Sequence, residues 1–430
     1  MEYENFYGSK DHCDEAGCYA VLIVKIKRAL VIISKLPLYF LALPVVLVVR
    51  IIRPWLLLRF CGLISSRIGH FAANTELYLC EYDAKINRPS QHHVDLFYFA
   101  TRPICNQQLA KMWKRTLYIG PSWVLAPIAR INSLFPGGEI HEVGNNIQHD
   151  LDVHNLLEKT PPHLEFTGEE ESTGQANLEL MGIPPGSPFV CLVARDSAYL
   201  GSHIKDGDFS YHNHRDVDVQ SYVLAAEELT SRGYYVLRMG SKVHESINSR
   251  HHMVIDYATN GMRTDFMDIY LGAKCAFCIS CNMGFDAIPL IFRRPIAYVN
   301  LVPPGYFFTF CNSSIGIFKH HFSIKYGRNL SLREVFSKGV GFCMRASEYE
   351  EKDIIPLGNT SEEIRNVVVE MDERLNGAWQ SHADDELLQK KFWEIFPKDA
   401  LESINKKPLH GVIKSRFGAS FLRDNPSWLD

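Results

Sequence analysis

Three cysteines recur at every third position in KCAFCISCNMGFDAIP, residues 274–289. Cys275, Cys278 and Cys281 have the type and spacing that could hold a metal ion or an iron–sulfur cluster. Cluster motifs of this kind usually have a fourth cysteine after three further residues, but Phe285 stands there. A zinc site would need a second pair of Cys or His ligands, and the only candidate in the sequence is HNH, residues 212–214. The segment is better explained as a short buried strand, and we predict no metal site.

The turn that follows this strand is rich in small and polar residues. They are Ser280, Cys281, Asn282, Met283 and Gly284. Where a strand gives way to a helix, main-chain N–H groups point outward and the helix dipole favours an anion. In open α/β sheets, ligands bind at such carboxyl ends of strands. We therefore predict that this turn binds substrate, with an ordinary strand–helix connection as the alternative.

Other strand ends in the same half of the chain also carry candidate residues. Arg195 ends the strand FVCLVAR, and Asp196 follows it. An arginine there is a bidentate donor suited to phosphate, and the alternative is that it forms a surface ion pair. Further candidates for substrate binding are Met239, Gly240, Ser241, Asp265 and Asp268. Glycine allows a ligand to approach the backbone closely, and Asp265 could either cap its helix or accept a hydrogen bond from a ribose.

A turn near residue 70 offers a possible general base. The sequence SSRIGHFA places Arg67, Gly69 and His70 between a predicted strand and a predicted helix. A histidine on such a turn can take a proton from a hydroxyl group near neutral pH. Alone, such a histidine is more often a cap or a buried side chain.

Asp-x-Asp triplets raise the question of a divalent cation. They are Asp150/Asp152, Asp206/Asp208 and Asp216/Asp218. Some glycosyltransferases hold a metal ion on a nucleotide diphosphate with such carboxylates. These triplets lie in polar loops or at a helix start, where Asp216 and Asp218 would most simply cap the helix. We predict that they bind no metal.

The elements that position these residues alternate between strand and helix. Such alternation predicts an α/β protein with parallel sheets in two doubly wound units. We predict a tail with a hydrophobic helix over 1–60, α/β units over 61–185 and 186–345, and C-terminal helices over 346–430.

Composition narrows the class of protein. The 430 residues are 46% hydrophobic and 22% charged, which is typical of a globular chain with two sizeable domains. A net charge of −4 with scattered basic residues gives no indication of nucleic-acid binding. An odd number of cysteines, eleven, suits a reducing compartment.

Residues 25–60 combine an apolar run with flanking cations and no acidic residue. The run is interrupted by Pro37 and Pro44, and its longest uncharged stretch is shorter than the roughly 20 residues that span a bilayer. A cleaved signal peptide is not expected, because an acidic leader precedes the run. We predict a peripheral or monotopic anchor at the cytoplasmic face of the inner membrane, with a spanning helix or a buried core helix as alternatives.

Several of these segments together resemble a bacterial glycosyltransferase family encoded among surface-polysaccharide genes. The resemblance covers about residue 60 to the C-terminus, in SSRIGHFAANTELYLCE, PFVCLVARDSAYL, HRDVDVQSYVLAAEELTSRGYYVLRMG, MDIYLGAKCAFCISCNMGFDAIP and FGASFLRDNPSWLD. The family usually has a small or hydroxyl-rich turn where this chain has Cys281 and Asn282.

More distantly, the layout is similar to protein O-fucosyltransferases, which have the two-domain GT-B fold. RIGH (67–70), Arg195 and SCNMG (280–284) correspond by position. The resemblance implies two Rossmann-like domains facing a cleft. A nucleotide-sugar donor would bind the C-terminal domain without metal or other cofactor, and the acceptor would enter from the N-terminal domain.

The expected function is transfer of a sugar from a nucleotide sugar to a cell-surface glycan or lipid-linked acceptor. Arg195 and the turn amides would neutralise the leaving diphosphate, and His70 would act as the base, with Asp196 as second choice. Two alternatives come from other classes. One is a non-catalytic protein of polysaccharide assembly that binds nucleotide sugars, and the other is a metal- or cluster-dependent redox enzyme.

Overall fold

A computed structural model describes residues 36–143, 151–196, 210–402 and 406–430. The predicted tail up to residue 35 lies outside these residues, as do Asp150, Asp206 and Asp208 of the aspartate triplets. The described chain divides into two compact units. The first comprises residues 36–62, 89–100 and 118–143, and the second comprises 63–88, 101–117 and the described residues from 151 onward.

Helices and strands alternate along most of the chain. The helices are α1 (36–52), α2 (Thr75–Asp83), α3 (Gln107–Thr116), α4 (Ser122–Ser133), α5 (Gly168–Leu180), α6 (Val223–Ser231), α7 (Asp265–Lys274), α8 (Ala287–Ile291), α9 (Leu332–Ser337), α10 (Ala346–Glu350), α11 (Ser361–Leu375), α12 (Asp385–Ile395) and α13 (Ala419–Asp424). The strands are β1 (Leu57–Leu63), β2 (His93–Phe99), β3 (Phe189–Val193), β4 (Tyr235–Met239), β5 (Val254–Ile255), β6 (Cys278–Ser280), β7 (Ile296–Leu301), β8 (Ser314–Phe318), β9 (His320–Ser323), β10 (Arg328–Asn329), β11 (Ile354–Leu357) and β12 (Arg416–Phe417).

The first unit is built on the pair β1–β2. Single parallel bridges join Phe60 to Glu142 and Phe97 to Ile119 at its two sides. The sequence LYIG, residues 117–120, predicts a further strand, but this strand is reduced to the one bridge at Ile119. Helices α1 and α4 pack on the sheet through a small apolar core. No helix within the described ranges is long and apolar enough to cross a membrane.

The second unit contains a large parallel sheet, as predicted. Its seven strands have the order β12-β8-β7-β6-β3-β4-β5, and each adjacent pair is parallel. From β3 the chain moves outward through β4 and β5, then returns to β6 on the other side of β3. This reversal of direction places the topological switch point between β3 and β6.

The three cysteines of the segment KCAFCISC belong to the core of the second unit. Cys275, Cys278 and Cys281 are each at most 1% exposed, and Cys278 lies opposite Cys191 of the neighbouring strand. Burial raises the pKa of the Cys278 thiol well above its usual value. A neutral, buried thiol packs as a small apolar group.

The C-terminal region is mainly helical, as predicted, and its helix α11 packs against β7 and β8 of the large sheet. The sequence TSEE, residues 360–363, predicts a capping box, and Thr360 and Glu363 form it at the start of α11. The predictions missed β8 and β12, which extend the large sheet, and the small antiparallel sheet of β9, β10 and β11. β12 is two residues long, and its apolar pattern is too brief to predict a strand.

Candidate functional site

The candidate site begins where β3 and β6 end side by side. Arg195 follows β3 by two residues, and Cys281 follows β6 directly. The main-chain N–H of Arg195 donates to the thiol of Cys281. Burial raises the pKa of that thiol to about 11, although Arg195 and Arg215 oppose the shift. The sheet therefore brings together two residues that lie far apart in the sequence.

Arg195 forms an ion pair at this edge. Its Nε atom lies 3.3 Å from Oδ1 of Asp216, and the arginine side chain is 12% exposed. Burial raises the pKa of Asp216, while Arg195 and Lys319 lower it. Asp218, not Asp216, acts as a cap, since its carboxylate accepts from the main-chain N–H of Gln220. Asp216 thus belongs to the site and not to a helix end.

Lys319 comes to the same cluster from β8. Its buried ammonium group donates to the main-chain oxygens of His214, at 3.0 Å, and Asp216, at 2.8 Å. Burial, with the nearby charges of Arg195 and Arg215, lowers the pKa of Lys319 to about 8, although Cys281 and Asp216 oppose the shift. Lys319 therefore fixes the loop that carries Arg215 and Asp216.

Arg215 is the third cation of the cluster. Its Nη2 atom donates to the main-chain oxygen of Asn282 at 2.5 Å. Its Nε atom is buried and has no hydrogen-bond partner in the described part of the chain. Burial lowers the pKa of Arg215, and repulsion from Arg195 adds to this. A buried donor without an acceptor is costly, so Arg215 is suited to an acceptor brought by a ligand.

A buried carboxyl group organises the turn after β6. Asp286 accepts from the hydroxyl of Ser280 and, at 2.8 Å, from the main-chain N–H of Met283. Burial raises the pKa of Asp286 to about 7. The amide of Met283 is therefore engaged inside the turn. Asn282 has a left-handed backbone with φ of +60° and directs its carbonyl to Arg215.

The turn RIGH lies against this second turn. A Cβ placed on Gly69 would be 3.1 Å from the Cα of Gly284. The next residue, His70, is half-buried and begins a π-helical turn that extends to Asn74. Its Nδ1 atom lies 3.3 Å from Oδ1 of Asn74. Arg67 is exposed.

Asp196 is held in place by its neighbours. Its Oδ2 atom accepts from the main-chain N–H of His244 at 3.0 Å and lies 3.8 Å from Nη2 of buried Arg238. Met239 is buried in the core, and Ser241 is exposed. A Cβ on Gly240 would lie 2.6 Å from Val243, so this glycine is required by packing.

Asp265 and Asp268 make specific contacts at the start of α7. Thr264 caps this helix, whereas Asp265 accepts at 2.8 Å from the N–H of Gln107 at the start of α3. Asp268 pairs with Arg263 at 2.5 Å, and burial raises its pKa to about 6. Both carboxylates thus hold neighbouring segments of the protein together.

One further cluster has ligand types that metals use. Glu76, Cys80 and His163 have donor atoms within 4.8 Å of one another. The guanidinium of Arg293 already lies 2.6 Å from Glu76. Burial lowers the pKa of His163, but hydrogen bonds with Cys80, Glu76 and Asp83 raise it to about 10. An arginine and a protonated histidine supply the positive charge here, so the cluster is an ion-pair network.

Sequence reasoning missed Arg215, Lys319 and Asp286. Lys319 had a visible signal, because it interrupts the apolar run SIGIFKHHF at a strand end. A charge at the end of a buried strand must find partners. Arg215 lies in a polar loop, where nothing local distinguishes it from a solvated arginine.

Comparisons with known proteins give structural neighbours only. No family model matches the chain, and no curated protein matches it. A glycosyltransferase family 9 protein from Veillonella parvula DSM 2008 has TM-score 0.41 at 10% identity, covering 74% of this chain and 96% of that one. ADP-heptose LPS heptosyltransferase II from E. coli has TM-score 0.33 at 13% identity, covering 60% and 90%.

A third neighbour is S. aureus MnaA in a structure with UDP. It has TM-score 0.26 at 10% identity, and the alignment covers 76% of this chain and 98% of that one. Scores below 0.5 at such low identity do not establish a shared function, because one fold hosts many activities. The chemistry of the site itself must decide the function.

Proposed function

We propose that this protein is a glycosyltransferase whose nucleotide-sugar donor binds at the switch point of the large sheet. The observation that carries the proposal is the convergence of Arg195, Arg215 and Lys319 on the ends of β3, β6 and β8. Asp216 supplies one opposing charge, and Asp286, with a pKa of about 7, supplies part of another. The cluster is therefore net positive near pH 7.

A diphosphate fits this excess of charge. The pKa of Lys319 is lowered by burial and by the other two cations, so an anion among them would relieve their repulsion. Arginine offers a planar pair of donors that matches two phosphate oxygens. This fork matches a carboxylate equally well, so it is the excess of positive charge that favours a diphosphate, which carries more negative charge than a simple carboxylate.

The reaction breaks the bond between the anomeric carbon and the diphosphate oxygen, which keeps the electron pair. The acceptor hydroxyl forms the new bond to that carbon and gives its proton to a base. His70, on the turn in contact with Gly284, is the proposed base. Asp196 is the second choice, because its Oδ2 atom is already engaged by the main-chain N–H of His244. Arg195 would stabilise the charge that develops on the leaving group.

The remaining parts of the proposal rest on the amino-acid sequence. The three cations would neutralise the diphosphate without a metal ion or another cofactor. The acceptor would be a cell-surface glycan or a lipid-linked sugar. Residues 25–60, with seven Lys and Arg and no acidic residue, would hold the enzyme to the cytoplasmic face of an anionic membrane. In the GT-B arrangement, residues 61–185 would contribute the acceptor side.

The experiment is a thermal-shift screen of the full chain against UDP-, GDP-, dTDP- and CMP-sugars. Nucleoside-diphosphate sugars should raise the melting temperature, and EDTA should change neither binding nor turnover. Arg215→Ala should abolish the shift, whereas Arg250→Ala, an exposed arginine, should keep it. Absence of any shift would contradict the donor site. Binding without hydrolysis or transfer would instead indicate a non-catalytic binding protein.

A further inference from the structure

Helix α1 exposes apolar side chains on almost every face. Only Ala42, Val46 and Val49 are buried against the unit. The exposed set is Leu36, Phe40, Leu41, Leu43, Val45, Leu47, Val48 and Ile51. A helix that is apolar all round belongs in a protein core or against lipid, and packing accounts for one face only.

Helix α4 repeats this arrangement. Its inner side contributes Val124, Leu125, Ile128, Ala129 and Ile131 to the core of the first unit. Trp123, Arg130 and Leu134 follow at i, i+7 and i+11, so they share the opposite side, and Trp123 is 65% exposed. Phe135, just beyond the helix, is exposed as well.

The two helices cover the same face of the small sheet. Leu58 and Phe60 of β1, two residues apart, and Leu96 of β2 share the core cluster that both helices enter. Arg50 of α1 ties their carboxyl ends together, donating to Oδ1 of Asn132 at 3.0 Å. The outer sides of α1 and α4 consequently point away from the same sheet face.

The charge of this surface indicates what kind of partner binds it. Residues 36–62 and 118–138 contain Arg50, Arg53, Arg59 and Arg130 and no acidic residue, and the exposed carboxylate of Glu139 follows directly after the second range. Arg59 is buried with Asp95 and Arg50 is half-buried with Asn132, which leaves Arg53 and Arg130 exposed. Trp55 and Tyr118, which are 73% and 76% exposed, add the side chains that favour the membrane–water interface. Apolar groups with only cations among them match an anionic lipid leaflet better than a protein partner.

We propose that α4 and the following residues Leu134 and Phe135 enter the lipid interface beside α1, forming one two-helix docking surface. The inference rests on the membrane association proposed above and extends it to a segment far from residues 25–60. Trp123, Leu134 and Phe135 would be its deepest contacts outside α1.

The test measures binding of the full chain to vesicles of phosphatidylcholine with phosphatidylglycerol. Trp123→Ser combined with Phe135→Ser should weaken the affinity at least about tenfold, since affinity scales with buried apolar area. The matched control is Leu180→Ser with Val412→Ser, which removes two exposed apolar residues of the second unit and should change nothing. Binding to vesicles of phosphatidylcholine alone should be weaker for the wild type.

A conservative variant covers the case in which the double substitution unfolds the protein. Trp123→Phe should bind as well as wild type but lose part of the fluorescence that brominated lipid quenches, whereas Trp379→Phe in the second unit should not. Unchanged affinity together with unchanged quenching would overturn the inference while leaving membrane association intact. If the wild type itself ignores anionic vesicles, or if the double variant alters only self-association, the lipid assignment is wrong.

Discussion

Gly69 and Gly284 lie in direct backbone contact, so close that a Cβ on either residue would be tighter than ordinary van der Waals contact. A Cβ on Gly69 would be 3.1 Å from the Cα of Gly284, and one on Gly284 would be 3.3 Å from the nitrogen of Gly69. The turn that carries the proposed base is thus fixed against the turn beside the proposed phosphate site. Both turns belong to the second unit, so one folded body holds them.

Gly69→Ala should destabilise the protein by steric conflict alone. Its φ of −58° suits any residue, so only the close approach is disturbed. We expect a loss of about 1–3 kcal/mol in the free energy of unfolding, as for overpacked sites, measured by urea denaturation. Gly168→Ala, at a position with no atom within 4 Å, is the control and should be neutral or stabilising. Equal stability of Gly69→Ala and wild type would refute the contact.

Lys319 should make donor affinity depend on pH. Its pKa of about 8 means that the ammonium is charged at pH 7 and loses its charge as the pH rises through 8. Nucleoside-diphosphate affinity, measured by calorimetry, should therefore fall roughly tenfold above pH 8, the scale of one charged hydrogen bond. Lys319→Met should bind weakly at pH 7 and lose most of this dependence. A wild-type affinity that stays constant from pH 7 to pH 9.5 would exclude Lys319 from the site.

Asp286 should make stability fall as the pH rises. Its pKa is raised from 3.8 to about 7, so between these values the folded state binds more protons than the unfolded state. The contribution is complete below pH 4 and is lost through pH 7, with a slope on the order of 1 kcal/mol per pH unit. Asp286→Asn should flatten this slope in urea titrations at pH 5 and pH 7.5, whereas exposed Asp399→Asn should leave it unchanged. An unaltered slope in Asp286→Asn would show that another group causes the pH dependence of stability.

His70→Ala should lower turnover by roughly 10²–10⁴, the usual contribution of a general base, while donor affinity changes little. His70 is half-buried and its contact with Asn74 is long, at 3.3 Å, so the fold should tolerate the change. Steady-state rates and donor titrations separate the two effects. Near-normal turnover would transfer the role to Asp196, for which Asp196→Asn is the matching variant.

Local sequence patterns predicted several helices and strands, but they could not predict how every strand pairs. The sequence NQQLAKMWKRT predicts a helix over 106–116, and FVCLVAR predicts a strand over 189–195. α3 and β3 agree with these spans to within two residues, because caps and apolar periodicity are local signals. The strand predicted over 117–120 is reduced to the single bridge between Ile119 and Phe97, because a short apolar run does not determine how far pairing extends.

The candidate site illustrates the same limit. Arg195 and the turn after β6 were predicted from strand ends, and the parallel sheet brings them together. Arg215 joins them through a hydrogen bond to the main-chain oxygen of Asn282, 67 residues further along the chain. Lys319 joins them through the main-chain oxygens of His214 and Asp216, which lie 105 and 103 residues before it. Contacts of that kind follow from strand order, which no local pattern reveals.

The most direct test of the donor site is the sugar-transfer rate of Arg195→Ala with the donor found by screening. Arg195 lies at the switch point beside Cys281 and Asp216, and its contact should strengthen as charge builds on the leaving diphosphate. We expect a loss of roughly 10²–10³ in rate, the scale of one lost transition-state donor, and a poor rate for Arg195→Lys as well. Arg250→Ala should transfer normally. A folded Arg195→Ala enzyme that transfers sugar at the wild-type rate would contradict a donor site at Arg195.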